Sequence, residues 1–205
     1  MLSMSVRKLV EKSYDIIGPL YDKHRDVHKI DNELENFYGQ LPKEPKVLDA
    51  GCGAGRPVSK FLTDKGVNVM GIDISDKMLK LAKQNVPDGN FQKGDMTKIK
   101  FGEEHFDGVV SVFALFHIEK QMHEQVFSEF FRVLKRRGVL MINTGIRESD
   151  SVSRFFGQPM VWSNHKPEKT LELVKKQGFE VDFEGVLQRG GELQYWIMAR
   201  KPLQT

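Results

Sequence analysis

The sequence predicts an α/β fold, a parallel sheet covered by helices on both faces. Three observations carry that expectation. From Lys46 onward, short apolar runs alternate with amphipathic stretches at helical spacing. The first run, Val47-Leu48-Asp49-Ala50, ends in Gly51-Cys52-Gly53-Ala54-Gly55. Asp49, Asp73 and Asp95 each fall at the end of a different predicted strand, where open α/β sheets form their ligand crevice. The length of 205 residues suits one domain with a small extension.

Residues 1–41 read as an N-terminal helical cap. Val6, Leu9, Val10, Tyr14 and Ile17 recur at helical spacing until Gly18-Pro19 interrupts, and Val27, Ile30, Leu34, Phe37 and Leu41 form a second stripe. Residues 42–205 form the main domain. After the first strand, residues 56–65 place Val58, Phe61 and Leu62 on one helical face and stop at Gly66; residues 67–72 are the second strand. Ser75 suits a helix N-cap, with Met78, Leu79 and Ala82 turned inward. Residues 91–95 form a weak third strand and 106–113 a strong fourth. Residues 119–134 carry Met122, Val126, Phe127, Phe130 and Leu134 at helical spacing, and 138–143 make the fifth strand. Residues 144–166 show no clear period and read as an irregular, lid-like insertion. Pro167 fits the first turn of a helix that holds Leu171 and Val174 inward and ends at Gly178. Two further strands flank Gly190-Gly191, a hairpin that makes the last strand antiparallel.

Composition excludes several classes of protein. Hydrophobic residues are 40% and charged residues 29%, ordinary values for a soluble globular chain. With 31 Lys+Arg against 28 Asp+Glu, the net charge is +3 and spread along the chain, too weak to indicate nucleic acid. Lys135-Arg136-Arg137 reads as the solvated end of a helix. The single cysteine, Cys52, excludes an intramolecular disulfide and fits a reducing compartment. The first eight residues lack the apolar core of a signal peptide, and no apolar run approaches the ~20 residues of a membrane helix. The expectation is a cytoplasmic protein without a membrane or nucleic-acid partner, and no metal site is assigned.

The chemistry concentrates in the glycine loop. Glycines on alternate positions after a parallel strand let the backbone pass close to a ligand, and the next helix offers unpaired N–H groups. An acid closing the second strand, Asp73, can accept hydrogen bonds from both hydroxyls of a ribose. Singly, Asp73 also reads as a helix cap, Asp95 as a solvated loop acid and Cys52 as a small turn residue. Jointly, in order along the sheet, Asp49, Asp73, Asp95 and the loop glycines mark one nucleoside cleft.

The motifs together resemble class I S-adenosylmethionine-dependent methyltransferases. The stretch from Asp49 to Gly55 resembles that family's first motif, Gly71 to Met78 its second, and Gly94-Asp95-Met96 its third. Phe106 to Ser111 resembles its fourth strand and Val133 to Leu140 the approach to its fifth. The resemblance implies a Rossmann-like seven-stranded sheet in the order 3-2-1-4-5-7-6, last strand antiparallel, and S-adenosyl-L-methionine as cofactor. It further implies that Gly51, Gly53 and Gly55 border the methionine part of the cofactor, with Asp49 near its amino group. Asp73 would hold the ribose and Asp95 the adenine amino group, with Ile74 and Met96 sandwiching the base. Ser111 and Phe113 would lie below the sulfonium, and Tyr21 would close the pocket from the cap. In such a reaction the cofactor brings an activated methyl group, and the protein mainly aligns reactants and excludes water.

Two alternatives stand beside this. One is an NAD(P)-dependent Rossmann oxidoreductase; against it, the glycines are spaced Gly-x-Gly-x-Gly, and no Tyr-x-x-x-Lys is present. The other is a non-catalytic module that only binds S-adenosylmethionine. The expected acceptor is a small molecule methylated at oxygen, nitrogen or carbon. His117 is the candidate base or substrate contact, with helix capping or packing as its other reading. Tyr14 on the cap, and Trp162 and His165 in the insertion, are candidate substrate contacts.

Overall fold

A computed structural model describes residues 5–24, 29–189 and 191–203. Val27 of the second stripe and Gly190 of the hairpin lie outside the described residues. The elements in chain order are α1 (Val6–His24), α2 (Asp31–Tyr38), β1 (Lys46–Ala50), α3 (Val58–Asp64), β2 (Asn68–Asp73), α4 (Asp76–Asn85), β3 (Asn90–Lys93) and β4 (Phe106–Ser111). They continue as α5 (His123–Val133), β5 (Leu134–Thr144), β6 (Ser149–Phe155), β7 (Gln158–Asn164), α6 (Pro167–Lys176), β8 (Glu180–Arg189) and β9 (Glu192–Arg200).

Seven strands form one sheet in the order β3-β2-β1-β4-β5-β9-β8. Counted along that sheet alone, this is the expected 3-2-1-4-5-7-6 order. β1, β2, β3, β4 and β5 pair in parallel, and β9 runs antiparallel to both β5 and β8. Neighbouring residues on the central strands feed opposite faces, as a pleated strand requires. Leu48, Val109, Leu140 and Ile197 face one core beneath α5 and α6, with Phe127, Phe130 and Val174. Val47, Val110, Met141 and Trp196 face the other, beneath α2 and α3, with Phe37 and Leu62. Because both faces are covered, β9 is buried from Gln194 to Ala199 without alternation.

Several expectations need correction. α1 does not stop at Gly18-Pro19 but runs through Pro19 to His24. The proline costs a backbone bond, yet Val10 and Ile17 pack on Met160 and Val161 of β7, and Gly18 presses against Met78 of α4. Residues 144–166 are not irregular: they hold the antiparallel hairpin β6–β7, paired from Ser149↔Asn164 to Phe155↔Gln158. β6 is exposed along nearly its whole length, so it shows no apolar alternation to read. The stretch 119–134 divides into a 3₁₀ turn, Lys120–Met122, and α5, and Met122 is exposed rather than inward. Lys135-Arg136-Arg137 is not a helix end, because α5 stops at Val133 and these residues begin β5. Lys135 pairs with Asp107 at 2.9 Å and Arg136 with Glu104 at 3.3 Å. β5 is correspondingly longer than the expected 138–143, with an irregular register where Arg137 adopts φ 64°.

Candidate active site

The C-terminal ends of β1, β2 and β4 and the loop after β3 open onto one cleft of about 260 Å³. Gly51 and Gly53, at φ 80° and 53°, form its floor. A Cβ on Gly51 would lie 2.5 Å from Ala114 Cβ, so the loop can seat against the post-β4 turn only as glycine. Gly55 does not line the cleft. Its missing side chain lets α4 close in, since a Cβ there would meet Val86 at 3.1 Å and Ala82 at 3.3 Å.

The three acids converge as expected. Asp49 is 2% exposed and accepts a 2.6 Å bond from Ser59 Oγ. Asp73 accepts from Gly53 N and from Ser75 N, each at 2.9 Å. Burial raises its pKa, and those two N–H groups oppose the rise. Asp95 takes bonds from Thr97 N at 2.9 Å and Thr97 Oγ1 at 2.7 Å, and pairs with Arg7 at 3.2 Å. Ile74 and Met96 also line the cleft. Ser111 does not: it is fully buried, with its hydroxyl 3.8 Å from Met96 Sδ, below the wall that Val112, Phe113 and Ala114 supply. Burial first, and then Asp49 and Asp73, push the Cys52 thiol pKa well up, which disfavours a thiolate there.

α1 roofs this cleft with Val6, Arg7, Val10, Tyr14 and Tyr21. Polar contacts tie it to each loop in turn. Arg7 reaches Asp95 after β3. Asp15 accepts from Ser75 Oγ at 2.6 Å and Lys77 N at 3.2 Å, at the start of α4. Asp22 pairs with Arg56 at 2.6 Å after the glycine loop and accepts from Asn85 Nδ2. The motifs did not reveal these side chains; on the sequence they are ordinary charges of an amphipathic helix, and their partners lie 34 to 88 positions away.

Beyond the cleft lies a second cavity of about 450 Å³. Among the described residues, Tyr14, Tyr21, Phe113 and His117 line both. The second adds Phe116, Phe155, Phe156 and Trp162, whose rings interlock at 4.7–6.1 Å with one another, with Tyr21 and with His117. Phe113, at φ 58°, is held by Asn143 Oδ1, which accepts from its N–H at 2.7 Å. His165 lines neither cavity; its Nε2 sits 2.9 Å from the Lys120 carbonyl, packed edge-on to His123.

His117 is 7% exposed, with Nδ1 2.8 Å from the Val161 carbonyl and Nε2 2.8 Å from the Tyr14 hydroxyl. Burial lowers its pKa to about 4, against the pull of the carbonyl. His123 is likewise lowered to about 4, first by burial. The unfolded chain therefore takes up protons near pH 6.5 while the folded one does not. The stability each neutral histidine contributes is complete above about pH 6.5 and lost as the pH falls toward about 4, by about 3 kcal/mol each. Thermal unfolding is expected to give a Tm lower by roughly 5–15 °C at pH 5 than at pH 7, with about half of that drop removed by His123→Asn. A Tm independent of pH would show that neither histidine is held neutral.

The family model described as a methyltransferase domain matches residues 48–142. That span holds the glycine loop and all three acids. The match supports a class I S-adenosylmethionine-dependent methyltransferase. This methyltransferase is 29% identical to a demethylmenaquinone methyltransferase of Thermotoga maritima, over 85% of the chain and 86% of that protein. It is 26% identical to an uncharacterized methyltransferase of Oceanobacillus iheyensis, over 80% of the chain and 73% of the relative. Its fold matches the crystal structure of magnesium protoporphyrin IX methyltransferase from Synechocystis PCC 6803, with a TM-score of 0.77 at 19% identity, covering 98% and 99% of the two chains. It is an enzyme, and its cofactor is S-adenosylmethionine; neither alternative considered for the sequence is favoured. The residues present suit that cofactor. The cleft places the buried carboxylate of Asp49 and the half-buried one of Asp73 where a ligand with cationic sulfonium and ammonium groups gains from them. Among the described residues no helix is long and apolar enough to cross a membrane.

Proposed function

We propose that this methyltransferase transfers a methyl group to an oxygen, nitrogen or carbon of a small molecule seated in the aromatic cavity. The observation that carries the reading is the shared wall: Tyr14, Tyr21, Phe113 and His117 face the cofactor cleft and the second cavity at once. The cofactor supplies an activated methyl group when bound. In this reading Asp73 holds the ribose, Asp95 the adenine amino group between Ile74 and Met96, and Asp49 the ammonium end near Gly51 and Gly53. Residues 1–41 act as the cap, and the β6–β7 hairpin as the lid that shields the reactants from water. His117 serves as a neutral orienting group, because its Nε2 is engaged by Tyr14 and burial disfavours its charged form. A small-molecule acceptor also agrees with the relative from Thermotoga maritima, named for demethylmenaquinone.

The test is incubation with S-adenosylmethionine carrying a tritiated methyl group and a cell extract separated by molecular size. Label is expected in the low-molecular-mass fraction. Label confined to protein or nucleic acid would overturn the reading.

A further inference from the structure

The polar lining of the second cavity narrows the acceptor further, on the reading above that this cavity seats it. Besides its rings, the cavity is lined by Lys29, Asn164, Glu192 and Gln194. Backbone groups fix which way the amides point. The Phe113 N–H can only donate, so the Asn143 atom it meets at 2.7 Å is the oxygen. Asn143 Nδ2 then donates to Gln194 Oε1, and Gln194 Nε2 is left to donate to Glu192 Oε2, at 3.3 Å. Gly145 N, at 2.9 Å, likewise fixes Asn164 Oδ1 as an acceptor, so Asn164 donates through Nδ2, which meets Ser149 Oγ at 3.0 Å.

Lys29 completes this set of donors. Its Nζ lies 4.2 Å from the centre of the Phe113 ring and 3.5 Å from the same Glu192 Oε2. Two donors therefore converge on one carboxylate oxygen, both at long range. The ion pair is lopsided, with the Lys29 side chain 14% exposed and that of Glu192 61%. A carboxylate so exposed and so loosely held costs little to displace, whereas a covered ammonium needs an anionic partner to stay charged. Among the described residues Glu192 is the only acid lining the cavity, and its Oε2 marks where an anionic oxygen fits. The walls set the shape: Phe116 and Trp162 lie 5.4 Å apart and only 32° from parallel, an arrangement that receives a flat ring by offset or edge-on contact. We propose that Lys29 determines specificity, selecting a flat aromatic acid whose carboxylate takes the place of Glu192 at Lys29 Nζ and Gln194 Nε2.

The experiment uses the full chain saturated with S-adenosylhomocysteine and two probes of nearly equal shape, 2-naphthoate and 2-naphthamide, titrated by calorimetry at neutral pH. 2-Naphthoate is expected to bind about tenfold more tightly, the weight of one hydrogen bond to a charged group once Glu192 is displaced. Lys29→Gln is expected to bring the ratio of the two affinities close to one. Glu192→Gln, which removes the competing carboxylate, is expected to widen it. Neither residue lines the cofactor cleft, so binding of S-adenosylhomocysteine by each variant shows that it is folded. Equal affinity of the two probes for the unmodified chain, preference for the amide, or binding of neither overturns the proposal. An unchanged ratio in Lys29→Gln overturns the role of Lys29, and a ratio that fails to widen in Glu192→Gln overturns the exchange of carboxylates. Failure of the unmodified chain to bind S-adenosylhomocysteine would instead overturn the assignment of the cofactor cleft, and with it this inference.

Discussion

Asp73→Ala is expected to weaken S-adenosylhomocysteine binding by at least about 100-fold in calorimetric titration. Two hydrogen bonds from ribose hydroxyls to a carboxylate contribute roughly 1.5–3 kcal/mol each, and each 1.4 kcal/mol is a factor of ten. The structure adds a second cost. Asp73 already accepts from Gly53 N and Ser75 N, so the truncation leaves two backbone donors without their partner and loosens both the glycine loop and the start of α4. Asp73→Asn is the milder change, because its amide oxygen keeps one of the two backbone bonds while the charge and the second acceptor are lost. Its affinity is expected to fall between those of the unmodified protein and the alanine variant. Unchanged affinity in Asp73→Ala would remove Asp73 from the cofactor site.

Gly51→Ala is expected to lower stability by about 2–5 kcal/mol. An L-residue at φ 80° costs about 1–2 kcal/mol, and forcing a Cβ to within 2.5 Å of Ala114 Cβ and 3.0 Å of Met96 Cε adds an overpacking cost of about 1–3 kcal/mol. For a chain of this size the change corresponds to a Tm lower by roughly 5–15 °C. Gly66 is the control. It has nearly the same φ, 79°, but open space where a Cβ would go, so Gly66→Ala should show the conformational cost alone. Equal destabilisation of the two variants would mean that the close approach of the glycine loop to Ala114 does not matter.

The contrast between these glycines shows which parts of the fold were legible in the sequence. β1, β2, β4 and β5 carry apolar runs, β3 carries only Phe91, and the ends of β1 and β2 carry acids, so the cleft could be placed from local pattern. The strand order and the role of each acid came from the resemblance, since pairing across a sheet leaves little local trace. What escaped was set at long range. Gly55 has the glycine spacing of its neighbours, yet it serves the packing of α4. Ser111 shares a strand end with Phe113 but lies below the wall. Pro19 is a local stop signal that packing against β7 and α4 overrides. β6 pairs fully while exposing nearly every side chain, so the hairpin has no hydrophobic period. His117, Tyr14 and Trp162 are separated by up to 148 positions; their meeting in one wall depends on α1 and β7 lying side by side.

That placement of α1 has a thermodynamic consequence. The helix roofs the cofactor cleft and, through Tyr14 and Tyr21, also bounds the aromatic cavity. Its ties to the three loops are polar contacts at Arg7, Asp15 and Asp22. With the acceptor seated as proposed, both ligands contact α1, and their affinities are expected to be coupled through it. Reciprocity then requires that the factor by which the cofactor tightens the acceptor equal the factor by which the acceptor tightens the cofactor. Under the proposed seating, cofactor and acceptor are two halves of one binding equilibrium, joined by a shared helix.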